Sequence, residues 1–247
     1  MKAMDDLAGV TAAILAGGLG TRLSAVVADR PKVLAPVAGR PFLAYLLGQL
    51  ARAGLTQVVL CTGYLGEQVQ AALGETFQGL KLTYSKEPTP LGTGGALWLA
   101  LPHFKSETVL VLNGDSYCEV DLRALWAWHA ARGAQGTLVL AKKRHTARYG
   151  RVEAAPDDSI KNFVEKGGQG GPGWINAGIY LLSRLLLQTV PANRLVSLEQ
   201  EMFPAWVGRG LFGYKTGGRF LDIGTPRAYG RAPGFFAPKR GRDPGPA

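Results

Sequence analysis

Val10-Thr11-Ala12-Ala13-Ile14-Leu15-Ala16, running straight into Gly17-Gly18-Leu19-Gly20-Thr21-Arg22-Leu23, is the stretch whose reading decides the fold. The apolar run predicts a strand, and the strand empties into a glycine loop. Glycines let backbone N–H groups approach an anion closely, so such a loop can present several donors at once to a phosphate chain. The loop lacks the Gly-Lys-Ser/Thr ending of a P-loop, and Leu23 stands where a dinucleotide fingerprint needs its third glycine. No acidic residue occurs from Pro31 to Gly66 to hold a ribose, which disfavours nicotinamide cofactors. Two cations accompany the loop instead. Arg22 can reach the outer phosphates of a nucleotide, and Lys32, fixed between Pro31 and Pro36, can reach the α-phosphate.

Outward from this loop, strand-like and helical patterns alternate, as in an α/β sheet with crossover helices. Phe42, Leu46 and Leu50 recur at helical spacing up to Gly54, and a strand follows over Val58 to Cys61. A helix over Leu65 to Leu73, a strand over Leu80 to Tyr84 and a helix over Gly94 to Leu101 come next. Thr108 to Leu112 is nearly continuously apolar, the mark of a central strand covered on both faces. It ends in Asn113-Gly114-Asp115, at a strand's carboxyl end, where open α/β sheets bind ligands. Beyond Gly136 the pattern loosens into strands over Thr137 to Ala141, Tyr149 to Glu153 and Ile160 to Glu165. Ile179 to Leu187 begins as strand and finishes as helix, and Ser197-Leu198-Glu199-Gln200 has the form of a capping box. From Arg231 onward Pro, Gly and Arg dominate, so a frayed basic tail over 231–247 is expected. Residues 1–230 read as one domain, with a first half over about 8–135 and a more loosely patterned second half over about 136–230.

Composition narrows the class. The chain has 247 residues, 47% of them apolar, and a formal charge of +10. A basic cleft that concentrates phosphates accounts for such a charge; nucleic acid is the rival partner. The cluster Lys142, Lys143, Arg144, Arg148 and Arg151 reads as a solvated face, because no aromatic-rich recognition motif accompanies it, so nucleic acid is not expected. Cys61 and Cys118 read as buried reduced thiols, and His103, His129 and His145 form no ligand pattern. No run of eighteen apolar residues predicts a membrane span, and Asp5 and Asp6 do not make the basic start of a signal peptide, so a cytoplasmic protein is expected.

Leu15-Ala16-Gly17-Gly18-Leu19-Gly20-Thr21-Arg22-Leu23, then Pro31-Lys32, Ala35-Pro36-Val37 and Gly39-Arg40-Pro41, resembles the signature of the sugar nucleotidyltransferase family. Pro90-Leu91-Gly92-Thr93-Gly94-Gly95-Ala96, Asn113-Gly114-Asp115, Val164-Glu165-Lys166, Asn176-Ala177-Gly178-Ile179-Tyr180 and Asp222-Ile223-Gly224-Thr225-Pro226 extend the likeness in the family's order. Within the family, Val26-Val27-Ala28-Asp29-Arg30-Pro31-Lys32 and Ser197-Leu198-Glu199 are similar to the branch that guanylylates D-glycero-α-D-manno-heptose 1-phosphate. Val33 departs from the pattern, since many members carry proline after the lysine. The resemblance implies a Rossmann-like three-layer α/β fold of the GT-A type, with a mixed, mostly parallel central sheet. It also implies transfer of a nucleoside monophosphate from an NTP to a sugar 1-phosphate: GTP and the heptose by the finer likeness, with mannose or glucose 1-phosphate and GTP, UTP or dTTP as the alternative. A homodimer is an open expectation, and a non-catalytic homologue that binds nucleotide-sugars is the rival reading from another class.

That reaction brings anionic groups together, so charge neutralisation is its main task, and Mg²⁺ suits it. By resemblance, Asp115 and Asp222 bind the metal, and Arg22, Lys32 and Asp115 carry the catalysis. The nucleotide is expected on Leu15, Ala16, Gly17, Gly18, Gly20, Thr21, Arg22 and Lys32, with Gly92, Thr93 and Gly94 at the base. Glu87, just before Pro88, offers a carboxylate to the N1–H and N2–H donors of guanine. The sugar phosphate is expected on Asn113, Gly114, Gly150, Glu165, Lys166, Asn176, Ala177 and Gly178. Trp174, beside that last motif, reads equally as pocket wall or core.

Overall fold

The run after Gly9 forms β1 (Thr11–Leu15), whose side chains alternate between two apolar layers, Ala12 and Ile14 on one face and Ala13 on the other. The computed structural model describes residues 7–18, 20, 23, 26, 27, 29–164 and 170–237. After the short pair β2 (Pro36–Val37) and β3 (Arg40–Pro41) come β4 (Gln57–Thr62), β5 (Thr76–Phe77) and β6 (Leu80–Lys86). The middle of the chain gives β7 (Thr108–Asn113), β8 (Ser116–Cys118), β9 (Gly136–Lys143), β10 (Arg151–Ala154) and β11 (Ile160–Val164). The last three are β12 (Gly173–Ser183), β13 (Leu211–Thr216) and β14 (Phe220–Asp222). Eight of them form one sheet in the order β13-β9-β12-β7-β1-β4-β6-β5. The pairs β13/β9, β7/β1, β1/β4 and β4/β6 are parallel, whereas β12 runs antiparallel to both neighbours. The sheet is thus mixed and mostly parallel, and β7 is central as its unbroken apolar run requires.

Strands buried on both faces need helices on both. One face is covered by α1 (Phe42–Ala53), through Phe42, Leu43, Leu46, Leu47 and Leu50, together with Val69 of α2 (Gly66–Leu73). The opposite face carries Leu97 and Ala100 of α3 (Gly92–Ala100). Leu122 and Leu125 of α4 (Leu122–Ala131) join the α1 face. Leu187 of α5 (Arg184–Gln188) and Phe203 and Trp206 of α6 (Phe203–Trp206) join the α3 face. Three layers result. Helix α1 stops where expected, because Gly54 adopts a φ of 93° and donates its N–H to Leu50 and Ala51. No helix among the described residues is long and apolar enough to cross a membrane.

Several boundaries move for identifiable reasons. The strand expected from Tyr149 starts at Arg151, because Gly150 turns with a φ of 74°. The strand expected from Ile179 begins at Gly173 and turns into α5 at Arg184, as its two-part pattern requires. Ser197 does cap its helix, accepting from the N–H of Gln200. The reciprocal acceptor for Ser197 N–H is Glu201 rather than Gln200. The first turn, Leu198–Met202, is a wide π-turn, which shifts that partner by one residue. After α7 (Pro226–Tyr229), the segment expected to fray contains α8 (Ala232–Phe236). Its two aromatic residues explain the docking: Phe236 stacks on Tyr45 at 3.8 Å, and Phe235 meets Tyr117 edge-on at 5.9 Å.

His129 lies on the buried side of α4, with Nδ1 2.8 Å from Thr137 Oγ1 and its ring stacked on Trp126. His103 and His145 are exposed. Burial lowers the His129 pKa to about 4, so the native imidazole stays neutral while an unfolded one protonates from about pH 6.5 downward. Stability from this group is full above pH 6.5 and is lost as the pH falls toward 4. Compared with His129→Gln, wild type should lose an additional ~2 kcal/mol of stability between pH 7 and pH 4.5. Urea titrations at the two pH values measure this. Equal losses in both proteins would mean that His129 titrates normally.

Candidate active site

Two adjacent parallel strands deliver the site's first two segments. Leu15 of β1 lies opposite Asn113 of β7, so the glycine loop and Asn113-Gly114-Asp115 leave the same sheet edge together. Gly114 N–H donates to Leu15 O at 2.9 Å, and a Cβ there would fall 2.5 Å from that carbonyl. Glycine is required at 114 for this closeness. A third segment arrives through the β8–β14 ribbon, in which Asp222 pairs with Ser116 and Ile223 N–H donates to Asp115 O at 2.9 Å. Asp115 and Asp222, more than a hundred residues apart in sequence, thereby sit at joined strand ends.

Lys32 closes the arrangement. It begins a 3₁₀ turn, Lys32–Leu34, whose Val33 and Leu34 are buried. The ammonium donates to Asp115 Oδ2 at 2.6 Å, with the lysine side chain 12% and the carboxylate 40% exposed. Val33, the departure from the family pattern, packs toward Gly114 and leaves the ammonium at the site. Asp222 Oδ1 accepts from Gly224 N–H at 2.6 Å. A Cβ on Gly224 would lie 2.7 Å from that oxygen and 3.2 Å from Lys32 Nζ, so the bare backbone is what admits both groups.

Two cavities meet at Asp115. The smaller, about 190 Å³, is lined by Leu15, Ala16, Gly18, Gly20, Lys32, Val33, Asp115 and Gly224. The larger, about 550 Å³, takes in Asn113, Gly150, Asn176, Gly178 and Asp222 from the expected set. Between Asn176 and Tyr180, β12 advances four residues while β9 advances two, and this bulge turns the motif toward the cavity. Asn176 Oδ1 accepts from Gly178 N–H at 2.8 Å. Among the described residues, Asn113 Oδ1 and Ser116 Oγ are buried without a hydrogen-bond partner.

Other expected residues fall elsewhere. Gly17 backs onto Glu87: a Cβ there would sit 2.5 Å from Glu87 Oε1. Glu87 Oε2 accepts from Leu91 N–H at 2.9 Å, and burial raises the carboxyl's pKa above its ordinary value. Gly92 and Gly94 press against the backbone and side chain of Val196, and Ala177 is fully buried in the core; none of these lines either cavity. Trp174 packs against the core on the α3 face with Lys142 over its ring, so the core reading stands. Thr21, Arg22, Glu165 and Lys166 lie outside the described residues.

The basic cluster is not merely a solvated face. Arg148 and Arg151 line the larger cavity, and Arg148 Nη2 donates to Thr225 Oγ1 at 3.4 Å. Lys143 is half-buried against Phe220, donating to its carbonyl at 3.2 Å, and burial lowers its pKa despite the charge of Asp222. Their bracketing of Gly150 was the available signal. Glu199, which lines the larger cavity, was also missed, although it lies in a motif singled out above. Cys61 and Cys118 are buried, and burial pushes both thiols up to about 12, which removes them from nucleophilic chemistry.

A fold with a glycine loop, a lysine and paired carboxylates around two adjoining cavities defines a class, and sequence comparison agrees. The profile of the nucleotidyl transferase family matches residues 11–237, and the chain belongs to that family. It is 36% identical over 222 residues to a D-glycero-α-D-manno-heptose 1-phosphate guanylyltransferase of Aneurinibacillus thermoaerophilus, covering 90% of this chain and 96% of the relative. A mannose-1-phosphate guanylyltransferase of Mycobacterium tuberculosis is 35% identical over 96% of this chain and 67% of its own length. Among solved structures, HddC from Yersinia pseudotuberculosis complexed with GMP-PN superposes with a TM-score of 0.81 at 31% identity, over 92% of this chain and 99% of that one.

Proposed function

We propose that the chain transfers GMP from GTP to D-glycero-α-D-manno-heptose 1-phosphate, giving the GDP-sugar and pyrophosphate. The observation that carries this reading is the position of Asp115, held by Lys32 and shared between a phosphate-sized cavity and a sugar-sized one. A sugar-phosphate oxygen attacks the α-phosphorus, the new P–O bond forms in line, and the bond to the β-phosphate breaks with pyrophosphate leaving. Lys32 offsets charge on the α-phosphate from the glycine-loop side. Arg148 and Arg151, which line the larger cavity, do the same for the sugar phosphate. Asp115 and Asp222 fit a Mg²⁺ ion, which takes one or two carboxylates and completes its shell with water and substrate phosphate oxygens. When bound there, the ion would neutralise charge developing on the transferred phosphoryl group.

Pyrophosphate release, measured for each NTP against a panel of sugar 1-phosphates, tests the reading. Release with GTP and the heptose supports it. Release with mannose 1-phosphate, the substrate named for the mycobacterial relative, would replace the sugar and keep the chemistry. Silence from folded protein across the panel would reject it in favour of a non-catalytic homologue.

Base choice is proposed to rest on Glu87. Its carboxylate retains acceptor capacity beyond the Leu91 N–H bond, enough for the two donors on the guanine edge. Glu87→Gln should cut the preference for GTP over UTP and dTTP roughly 10- to 100-fold, the worth of hydrogen bonds to a charged acceptor. An unchanged ratio of kcat/KM values would remove Glu87 from base recognition.

A further inference from the structure

Thr93 sits in the loop expected to line the base pocket, yet its hydroxyl is spent on the other half of the molecule. It donates to Glu199 Oε2 at 2.9 Å and accepts from Leu198 N–H at 2.8 Å. Backbone bonds stitch the two segments together on either side: Gly94 N–H to Val196 O and Val196 N–H to Leu91 O, each 2.8 Å. Gly92, with a φ of 72°, makes the approach possible, since a Cβ there would lie 2.5 Å from Val196 O.

Glu199 lines the larger cavity, and donors behind it fix its carboxylate. Ser197 Oγ donates to Oε2 at 3.3 Å, and Tyr180 Oη donates to Oε1 at 3.5 Å. Tyr180 is fully buried and accepts from Asn176 Nδ2 at 2.8 Å and Asn113 Nδ2 at 3.3 Å. With both lone pairs filled by amides, its proton has Glu199 as its outlet. Burial, with the charge of Glu199, holds the phenol well above its ordinary pKa, so that proton stays in place. The chain of donors therefore ends on one carboxylate that lines the cavity, with three of its roughly four acceptor sites filled by described residues.

We propose that Thr93 is a positioning residue for the sugar, holding Glu199 as the acceptor for a ring hydroxyl, so that Gly92-Thr93-Gly94, the first turn of α3, governs sugar affinity rather than base choice. A fixed carboxylate accepts neutral hydroxyl donors and repels phosphate. The hydroxyl-rich end of the sugar therefore rests at Glu199, and its phosphate end points toward the two arginines and toward Asp115, whose charge Lys32 offsets. The inference rests on the reading of the larger cavity as a sugar site.

Equilibrium binding of GDP, GDP-mannose and GDP-D-glycero-α-D-manno-heptose to wild type, Thr93→Val, Thr93→Ser and Glu199→Gln separates the possibilities. Wild type should bind a GDP-sugar more tightly than GDP. Thr93→Val should weaken the GDP-sugar roughly 10- to 100-fold, as loss of a hydrogen bond to a charged group does, while GDP affinity holds. Thr93→Ser, which keeps the hydroxyl, should recover most of the loss, and Glu199→Gln should reproduce it. In turnover, the KM for sugar phosphate should rise in Thr93→Val while that for GTP stays. Equal weakening of GDP and GDP-sugar in Thr93→Val would overturn the proposal and return the loop to the base. Unchanged GDP-sugar binding in Glu199→Gln would overturn it as well. If wild type gained nothing from either sugar, the sugar-site reading itself would fall, a result visible without any variant.

Discussion

Alanine at Asp115 or at Asp222 should abolish measurable turnover in a protein that still folds. On the proposed reading each carboxylate supplies half of the negative charge that holds Mg²⁺ where two anionic substrates meet. Losing one leaves a single carboxylate facing phosphates that already repel one another. Removal of a single preorganised electrostatic contact typically costs roughly 10²- to 10³-fold in kcat, and loss of the ion with it should cost more. The structural penalty is smaller. The Lys32–Asp115 pair is partly exposed, so solvent screens it, and its loss should cost about 1 kcal/mol, or roughly 2–4 °C in Tm. Asp222 gives up one hydrogen bond from Gly224 N–H, a cost of similar size. Pyrophosphate release and thermal unfolding, run side by side, separate the two effects. Full activity in either variant would take that residue out of the site, and Lys32→Met at normal Tm would then show whether the lysine acts alone.

What the sequence shows of this site follows from how far apart its parts lie along the chain. The glycine loop and Asn113-Gly114-Asp115 each follow a short apolar strand, so local pattern alone places them at a sheet's carboxyl edge, and β1 and β7 prove to be neighbours. The meeting of Asp115 and Asp222 depends on the β8–β14 ribbon, which joins two three-residue strands that no periodicity announces. Resemblance, not pattern, paired those two carboxylates. The bulge in β12 is harder still, because its register is set by β9 on one side and β7 on the other. Charge counting misled at Arg148 and Arg151: the same residues serve a solvated face or a cavity wall, and only the turn at Gly150 decides. Thr93 shows the opposite limit. Its motif was recognised, but its partner lies 106 residues away, and nothing near Thr93 names Glu199.

Gly178→Ala should destabilise the protein by about 2–5 kcal/mol, combining strain at a left-handed backbone position with overpacking. Gly178 holds a φ of 72° inside the β12 bulge, where an L side chain is strained whatever space surrounds it. Space is also lacking. A Cβ would fall well inside contact distance of Ser116 Oγ and 3.1 Å from both Cβ and Nδ2 of Asn113. Ser116 is the residue after Asp115, and Asn113 opens the same turn, so relief of the clash moves the segment that carries the carboxylate. Tm should drop by roughly 5–15 °C, and the folded fraction should lose activity beyond what the lower Tm explains. The double variant Gly178→Ala, Ser116→Ala distinguishes the causes, because it removes the oxygen that the new methyl meets and leaves the backbone strain. Partial recovery of both Tm and kcat would assign the difference to the clash. No recovery would assign it to φ together with the Asn113 contacts, which the double variant keeps. A single variant as stable as wild type would mean that the bulge relaxes freely, and Gly178 would then cease to be the residue that shapes this wall.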